Sequence, residues 1–413
     1  MTTGTPEPPK GTTALARREA RLAYGLLAPT LISVALVVVL PLLAIFWISF
    51  KPIGLADLRP PAPVAREQVR GEGEDLRVEY RLRNSSQEEV ITGVVLTDVL
   101  PDGVMPSGDL PPECALDGQV LTCRIDEMAG GYNERLIVPL AGAGDPDTLE
   151  DAAEATEPTV TGSANSILTN TTFTLENFAR VFDGDEFWGV LGVTLFYTVF
   201  GTIGALLVGL FAALLLNKSF RGQGILRGLY LFPYVAPVIA VAFSWLILFD
   251  PFSGSANALL VQMGVTDEAI NFFGDRPLAL VMVTVFEIWR YFPLSFLFIL
   301  ARMQSIDSDM YEAADMDGAS PFQQFWYLSM PQLLGILSVL FLLRFIWTFN
   351  KFDDIFLLTG GNAGTRTLTV NVYEQAFAVS NIGAGAAVAV VVFCCLVLFS
   401  IFFFSFMSRE EGL

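Results

Sequence analysis

Six nearly unbroken apolar stretches punctuate the chain, near 24–50, 187–216, 225–249, 277–303, 331–357 and 384–407. Each reaches the ~20 residues a helix needs to cross a hydrocarbon layer. Backbone groups in lipid have no water to bond, so runs of this length predict helices. Between the first and second runs the pattern changes. Short β-rich runs at 76–82, 90–99, 119–125 and 134–140 alternate with Gly, Pro, Asn and Asp turns, which predicts a small β-sandwich over 66–143. A third kind of stretch, 312–331, is polar and helix-prone, breaks at Gly318, and closes with Pro331 where the next apolar run begins.

The expected order is therefore a tail (1–23), a first membrane helix (24–50), a linker (51–65), the β-domain (66–143), a second linker and pre-membrane segment (144–186), a five-helix core (187–407) and a short tail (408–413). The segment 144–166 has little to bury and reads as linker. The first run follows arginines, as a signal peptide does. It is about twice the usual apolar length of one, and no A-x-A cleavage site follows, so it is read as a retained span.

Composition agrees with a polytopic membrane protein: 53% hydrophobic and only 16% charged residues in 413, with a mean hydropathy of +0.53. The absence of histidine argues against His-based catalysis or metal binding. Of the net charge of −19, the segment 51–186 carries −16, from 26 acids against 10 bases. Arg17, Arg18 and Arg21 precede the first run, Lys218, Arg221 and Arg227 follow the second, Arg302 follows the fourth and Arg409 the last. Basic short loops mark the cytoplasm, so both termini and 312–331 are expected inside and the β-domain outside. Cys394 and Cys395 lie within an apolar run. Cys114 and Cys123 flank the turn Leu116-Asp-Gly-Gln119, and a hairpin there brings them within bonding distance. Outside the cytoplasm they are expected to be oxidised, with two free thiols as the alternative.

The polar stretch reads Glu312-Ala-Ala-Asp-Met-Asp-Gly-Ala-Ser-Pro-Phe-Gln-Gln-Phe-Trp-Tyr-Leu-Ser-Met-Pro331. It resembles the coupling motif of bacterial ABC importer permeases, EAA-x-x-DGA-x5-F-x-x-I-x-LP. Glu312, Ala313, Ala314, Asp317, Gly318, Ala319, Phe325 and Pro331 match, while Leu328 and Met330 stand for its Ile and Leu. Trp289-Arg-Tyr-Phe-Pro293, Trp347-Thr-Phe-Asn-Lys-Phe-Asp353 and Leu358-Thr-Gly-Gly361 resemble the later spans of sugar permeases of the MalF/UgpA type. Asn362-Ala-Gly departs from the usual Gly-Pro in an outward loop. Segment 66–143 resembles immunoglobulin-like repeats of bacterial surface proteins.

The resemblance implies an all-α type I ABC importer permease with six membrane helices and an inserted all-β sandwich, in a bacterial or archaeal inner membrane. It implies two ATP-binding cassette subunits, a second homologous permease, an extracytoplasmic solute-binding protein and a sugar substrate as partners, with lipid around the spans and no nucleic acid. The chain contains no Gly-Lys dipeptide and hence no G-x4-G-K-[ST] phosphate loop. It is read as a transport subunit with no cofactor of its own, ATP and Mg2+ belonging to the partner. Glu312 to Asp317 would form one short helix, and Ser320 with Pro321 would start a second. Phe325, Trp326 and Met330 would supply an apolar grip.

Glu287 and Arg290, three residues apart, are expected to pair within the fourth helix, and Arg344, Asn350, Asp353 and Asp354 to cluster in the fifth. Asn350, Asp353, Trp347 and Tyr291 are the candidate sugar contacts, the alternative being a purely structural polar network. The β-domain either docks the binding protein through an acidic face, as a large insertion does in one maltose-type subfamily, or is a spacer, stabiliser or adaptation to salt. Competing functions are a permease for glycerol phosphate or a polyamine, a membrane-anchored adhesion protein, and a secondary transporter. The adhesion reading needs one span rather than six. The last leads one to expect inverted repeats, which are not seen.

Overall fold

The computed structural model describes residues 14–410 except 72, 88, 101–103, 109, 143–155, 167, 169, 183 and 184. Both tails fall partly outside the described residues.

Among the described residues, five helices are long and apolar enough to cross a membrane: Arg18–Ser49, Glu186–Leu216, Leu278–Gln304, Pro321–Phe349 and Ile382–Phe406. The expected third helix is instead a pair, Gln223–Val235 and Val238–Leu248, bent by 91°. Counted as one broken span, it makes six. The cause lies in Pro233 and Pro237. Pro237 has no N–H to give a helix, and it forces Ala236 out of helical geometry, to φ −62 and ψ 142.

The fifth span also differs from its expected bounds. It starts at Pro321 rather than 331 and ends at Phe349 rather than 357. A π-turn, Phe325–Ser329, lets the helix run through Pro331, whose missing N–H would otherwise break the ladder. Asp353 and Asp354 therefore lie on a separate short helix, Asp353–Thr359, and not in the span.

The second and fourth spans cross closely because the second offers glycines at the contact. A Cβ on Gly209 would sit 2.6 Å from Ser295 Cβ and 2.8 Å from the backbone N of Phe296. Small residues allow such approach where lipid gives no hydrophobic drive between helices. Leu206, Leu210 and Ala213 meet Phe296, Ile299, Leu333 and Leu340 in one buried cluster.

The segment between the first two spans folds as two four-stranded sheets around one core. The strands are β1 (Pro63–Arg70), β2 (Arg77–Asn84), β3 (Ile91–Val99), β4 (Val104–Pro106), β5 (Cys114–Asp117), β6 (Val120–Met128), β7 (Asn133–Gly142) and β8 (Thr159–Ala164). One sheet runs β1-β2-β7-β4 and the other β5-β6-β3-β8. Val78, Tyr80 and Leu82 of β2 face Leu96, Leu121 and Cys123 between them. Part of the expected linker is thus an edge strand: β8 pairs antiparallel with β3, Ile91 opposite Ala164 and Thr97 opposite Thr159. Its Thr-Val-Thr-Gly-Ser sequence buries little, which is why its composition reads as linker. β1 likewise begins at Pro63, ahead of the expected boundary at 66.

Cys114 and Cys123 face each other across the β5–β6 hairpin and are joined by a disulfide. Closing a loop this short removes about 2–3 kcal/mol of chain entropy from the unfolded state. Cys114→Ser with Cys123→Ser is expected to lower the domain's melting transition by that order, and reductant should reproduce the shift in the parent chain only.

A second device lies inside the sandwich. Glu67 on β1 points inward opposite Tyr80, and Asp98 reaches in from the other sheet to accept the Tyr80 hydroxyl at 2.5 Å. Both Glu67 carboxyl oxygens and Asp98 Oδ1 are shielded with no other donor. Burial and the neighbouring Asp98 carboxyl push Glu67 up to about 8, and burial also raises Asp98. Below about pH 4.5 Glu67 is protonated folded or unfolded; from there to about 8 only the folded chain keeps the proton. Stability of this domain is therefore expected to fall as pH rises across that window. Melting at pH 5 and pH 8 checks the direction, and Glu67→Gln should flatten it.

The insert joins the bundle at one clasp. The Lys51 ammonium, fully buried, donates to the backbone oxygen of Asn170 and, at 2.9 Å, to its side chain. It also lies 4.3 Å from the centre of the Phe173 ring. Asn177 Nδ2 donates to the carbonyls of Ser49 and Lys51, at 2.9 and 2.8 Å. The Gly383 amide, at the start of the last span, donates to Ile53 O at 2.9 Å.

Candidate coupling site and intramembrane charge cluster

The stretch 312–331 forms a helix–turn–helix at one end of the bundle. The helix Ser308–Met316 is capped by Asp307, whose side chain accepts from Asp309 N. It ends in a Schellman turn: Gly318 N donates to Asp315 O at 3.0 Å, and Ala319 N to Ala314 O at 2.9 Å. Gly318 holds φ +77, a left-handed conformation that glycine adopts without penalty. Ser320 then caps the next helix with a reciprocal bond to Gln323, and Pro321 takes the first position. Gln324 Nε2 bridges back to Asp315 Oδ1 at 2.5 Å, so the angle between the helices is pinned by side chains. Arg302 Nε to Gln332 O, at 3.1 Å, ties this hairpin to the fourth span.

Glu312, Ala313, Asp317 and Gly318 are exposed on this hairpin; Ala314 and Ala319 are half-buried beside the turn. The apolar grip differs from the expected set. Phe325 packs against the bundle core and Met330 is half-buried. The uncovered apolar side chains are Met316, Phe322, Trp326 and Tyr327, with Met316 89% exposed. The π-turn rotates Phe325 inward, a shift that motif spacing does not reveal.

The second polar site lies among the second, fourth and fifth spans. Glu287 is fully buried and accepts from Arg344 at 2.5 Å, Thr348 Oγ1 at 2.9 Å and Tyr197 OH at 3.1 Å. The expected Glu287–Arg290 pair does not form. Arg290 turns instead to the broken third span and donates to Pro233 O and Ala236 O at 3.3 and 3.2 Å. Those carbonyls are freed where Pro237 interrupts the helix, and a guanidinium supplies the missing donors. Arg290 also lies 3.9 Å from Asp354, and Lys351 lies 3.7 Å from Asp354 and 3.3 Å from Asp353.

Tyr291 sits at the centre. Its hydroxyl accepts from Lys351, and the Arg344 guanidinium lies 4.6 Å from its ring centre. Asn350 does not join this cluster: it is exposed and its Nδ2 bonds Ile346 O of its own helix. Trp347 is also exposed. Of the four candidate sugar contacts, the structure draws Tyr291 into the network, leaves Asp353 at its edge, and keeps Asn350 and Trp347 apart. Lys351, Tyr197 and Thr348 were not among the candidates. Lys351 had a signal, a base directly after an apolar run; Tyr197 and Thr348 had none.

Residues 205–409 match the family model described as binding-protein-dependent transport system inner membrane component. The chain is 35% identical over 228 residues to the inner membrane ABC transporter permease YcjO of Escherichia coli, covering 55% of this chain and 76% of that protein. The chain belongs to this permease family. The trehalose/maltose permease MalF of Thermococcus litoralis is 32% identical over 228 residues, 55% of this chain and 77% of that one. The sulfoquinovosyl glycerol permease SmoG of Agrobacterium fabrum is 33% identical over 222 residues, 53% and 71%. In fold, this permease resembles a bacterial ABC transporter that imports alginate, with a TM-score of 0.53 at 18% identity over 59% of this chain and 85% of that one. The permease is a transport subunit, and both polar sites lie within the family match apart from Tyr197, whereas the β-domain lies outside it.

Proposed function

We propose that this permease carries a di- or oligosaccharide, delivered by an extracytoplasmic binding protein, through a membrane pore powered by ATP hydrolysis in a partner. The assembly contains two ATP-binding cassette subunits and a second, homologous permease. The observation that supports this best is the exposed hairpin at Gly318, a capped helix pair whose apolar side chains Met316, Phe322, Trp326 and Tyr327 its own bundle leaves uncovered. It acts as the handle by which closure of the ATPases tilts the spans, and ATP and Mg2+ reside on those partners. The sugar class is supported by the trehalose/maltose and sulfoquinovosyl glycerol permeases that the chain resembles, and by the exposed Asn350 and Trp347, which suit hydroxyls and sugar-ring faces beside the second permease. Asp353 and Tyr291 line the inner side of that path.

The hairpin faces the cytoplasm with both termini, and the insert is an immunoglobulin-like domain outside. The disulfide supports that side, since such bonds persist in oxidising surroundings. Stimulation of ATP hydrolysis in the reconstituted transporter, compared for maltose, trehalose, glycerol phosphate and spermidine, tests the substrate class. Stimulation by glycerol phosphate or spermidine alone replaces the sugar reading. Asn350→Ala is expected to raise the KM for sugar uptake several-fold with little change in thermal stability.

A further inference from the structure

Segment 51–186 is strongly acidic, yet one face within it is not. Strand alternation and burial place Ala65, Glu67 and Val69 of β1, and Val78, Tyr80 and Leu82 of β2, toward the core. The opposite positions of β1, β2 and β7 form the outer face of one sheet. That face carries Arg66, Arg70, Arg77, Arg81, Arg83 and Arg135, six of the ten bases of the whole segment. The register stacks them: Arg70 opposite Arg77, and Arg66, Arg81 and Arg135 in one row across three strands. Neighbouring strands are about 4.8 Å apart, and like charges directly opposite each other destabilise a sheet.

Among the described residues, the only acid on this face is Glu79, which reaches Arg77 at 2.9 Å and Arg135 at 3.6 Å. Arg77 beside it holds its carboxyl below the usual range. One carboxylate among six guanidinium groups leaves a net positive surface on a negative body.

We propose that this arginine face is a docking surface for an acidic protein face, that of the solute-loaded binding protein. The inference rests on the importer reading above. Three observations select this partner chemistry. The cations are all arginine, which loses less hydration than lysine and grips carboxylates in bidentate fashion, as buried interfaces require. Ile137 and Val64 lie exposed among them, apolar contacts that a protein face uses. No outward position on the three strands carries an aromatic ring, so the face lacks the stacking platform of a carbohydrate site. An outer-leaflet lipid surface fits poorly. The Glu89 turn beyond β2 is tied to the clasp through Asn170 Nδ2 at 3.2 Å, and Arg77 stands at the far end of that strand, about 20 Å away. A protein lying along the strands meets both ends of the array. The surrounding acidic surface repels an acidic partner elsewhere, so the face orients as well as attracts.

The test uses the assembled transporter in nanodiscs with its own binding protein, reading the concentration that half-maximally stimulates ATP hydrolysis. Arg66→Glu with Arg81→Glu is expected to raise that concentration about tenfold or more at low salt, with the maximal rate retained. Added salt should raise the wild-type value and leave the variant's nearly unchanged. Arg66→Lys with Arg81→Lys should fall between, and Arg135→Glu on the third strand repeats the measurement if the double variant melts early. An unchanged half-maximal concentration in variants that melt normally overturns the proposal while the importer reading stands. So does a variant effect that vanishes in nanodiscs of neutral lipid, which would assign the face to headgroups. A wild-type transporter that no binding protein stimulates removes the importer reading itself, and the docking proposal with it.

Discussion

Glu287→Gln is expected to destabilise the permease by about 3–5 kcal/mol, read as a lowered melting transition of the purified chain in mild detergent. The substitution keeps the shape of the side chain and an oxygen able to accept from Thr348 or Tyr197. What it removes is the negative charge beside Arg344, which is 1% exposed and whose Nε has no hydrogen-bond partner. The guanidinium would then face a neutral amide and the Tyr291 ring, in surroundings where an uncompensated charge is costly. Arg344→Met alone should cost a similar amount, by stranding the Glu287 carboxylate. Both changes together should recover much of the loss, because neither substitution then strands an unpaired buried charge. Independent, additive effects of the two substitutions would show that the ion pair does not hold the spans together.

Gly318→Pro should abolish solute-stimulated ATP hydrolysis in the reconstituted transporter, with a loss of tenfold or more, while leaving the spans inserted. Proline fixes φ near −65°, and the turn holds φ +77. It also deletes the N–H that Gly318 donates to Asp315. Gly318→Ala separates shape from space: nothing lies within 4 Å of the added Cβ, so only the left-handed backbone is penalised, by about 1–2 kcal/mol. A graded series, wild type above alanine above proline, is the expected result. Glu312→Lys, on the exposed side of the first helix, should uncouple without disturbing the turn. Full stimulation in both Gly318→Pro and Glu312→Lys would remove this hairpin from the coupling path.

The membrane helices were legible because hydrocarbon thickness sets a length that only long apolar runs satisfy. The same logic hid the break near Pro237, since an apolar run reads alike whether or not it bends. Pro331 marked the start of an apolar run but not of a helix, because a π-turn absorbs the lost N–H. In the β-domain, the four runs read as strands all form strands and the expected hairpin at Cys114 and Cys123 supplies β5, but β1, β4 and β8 carry no such signal. β1 alternates arginine with Ala65, Glu67 and Val69, so its polar face dominates its composition. The helix–turn–helix at Gly318 was legible from spacing, whereas the inward turn of Phe325 was not. The charge cluster was legible in its members within the spans and not in its pairing. Arg290 prefers carbonyls that only the broken helix exposes.

The clasp at Lys51 and Asn170 brings the departing and returning strands of the insert to a single point on the bundle. A lobe mounted this way behaves like a tool on a chuck. The bundle beneath closes over a short connection whether the lobe is large, small or missing, so the attachment can be exchanged by engineering without reworking the membrane helices.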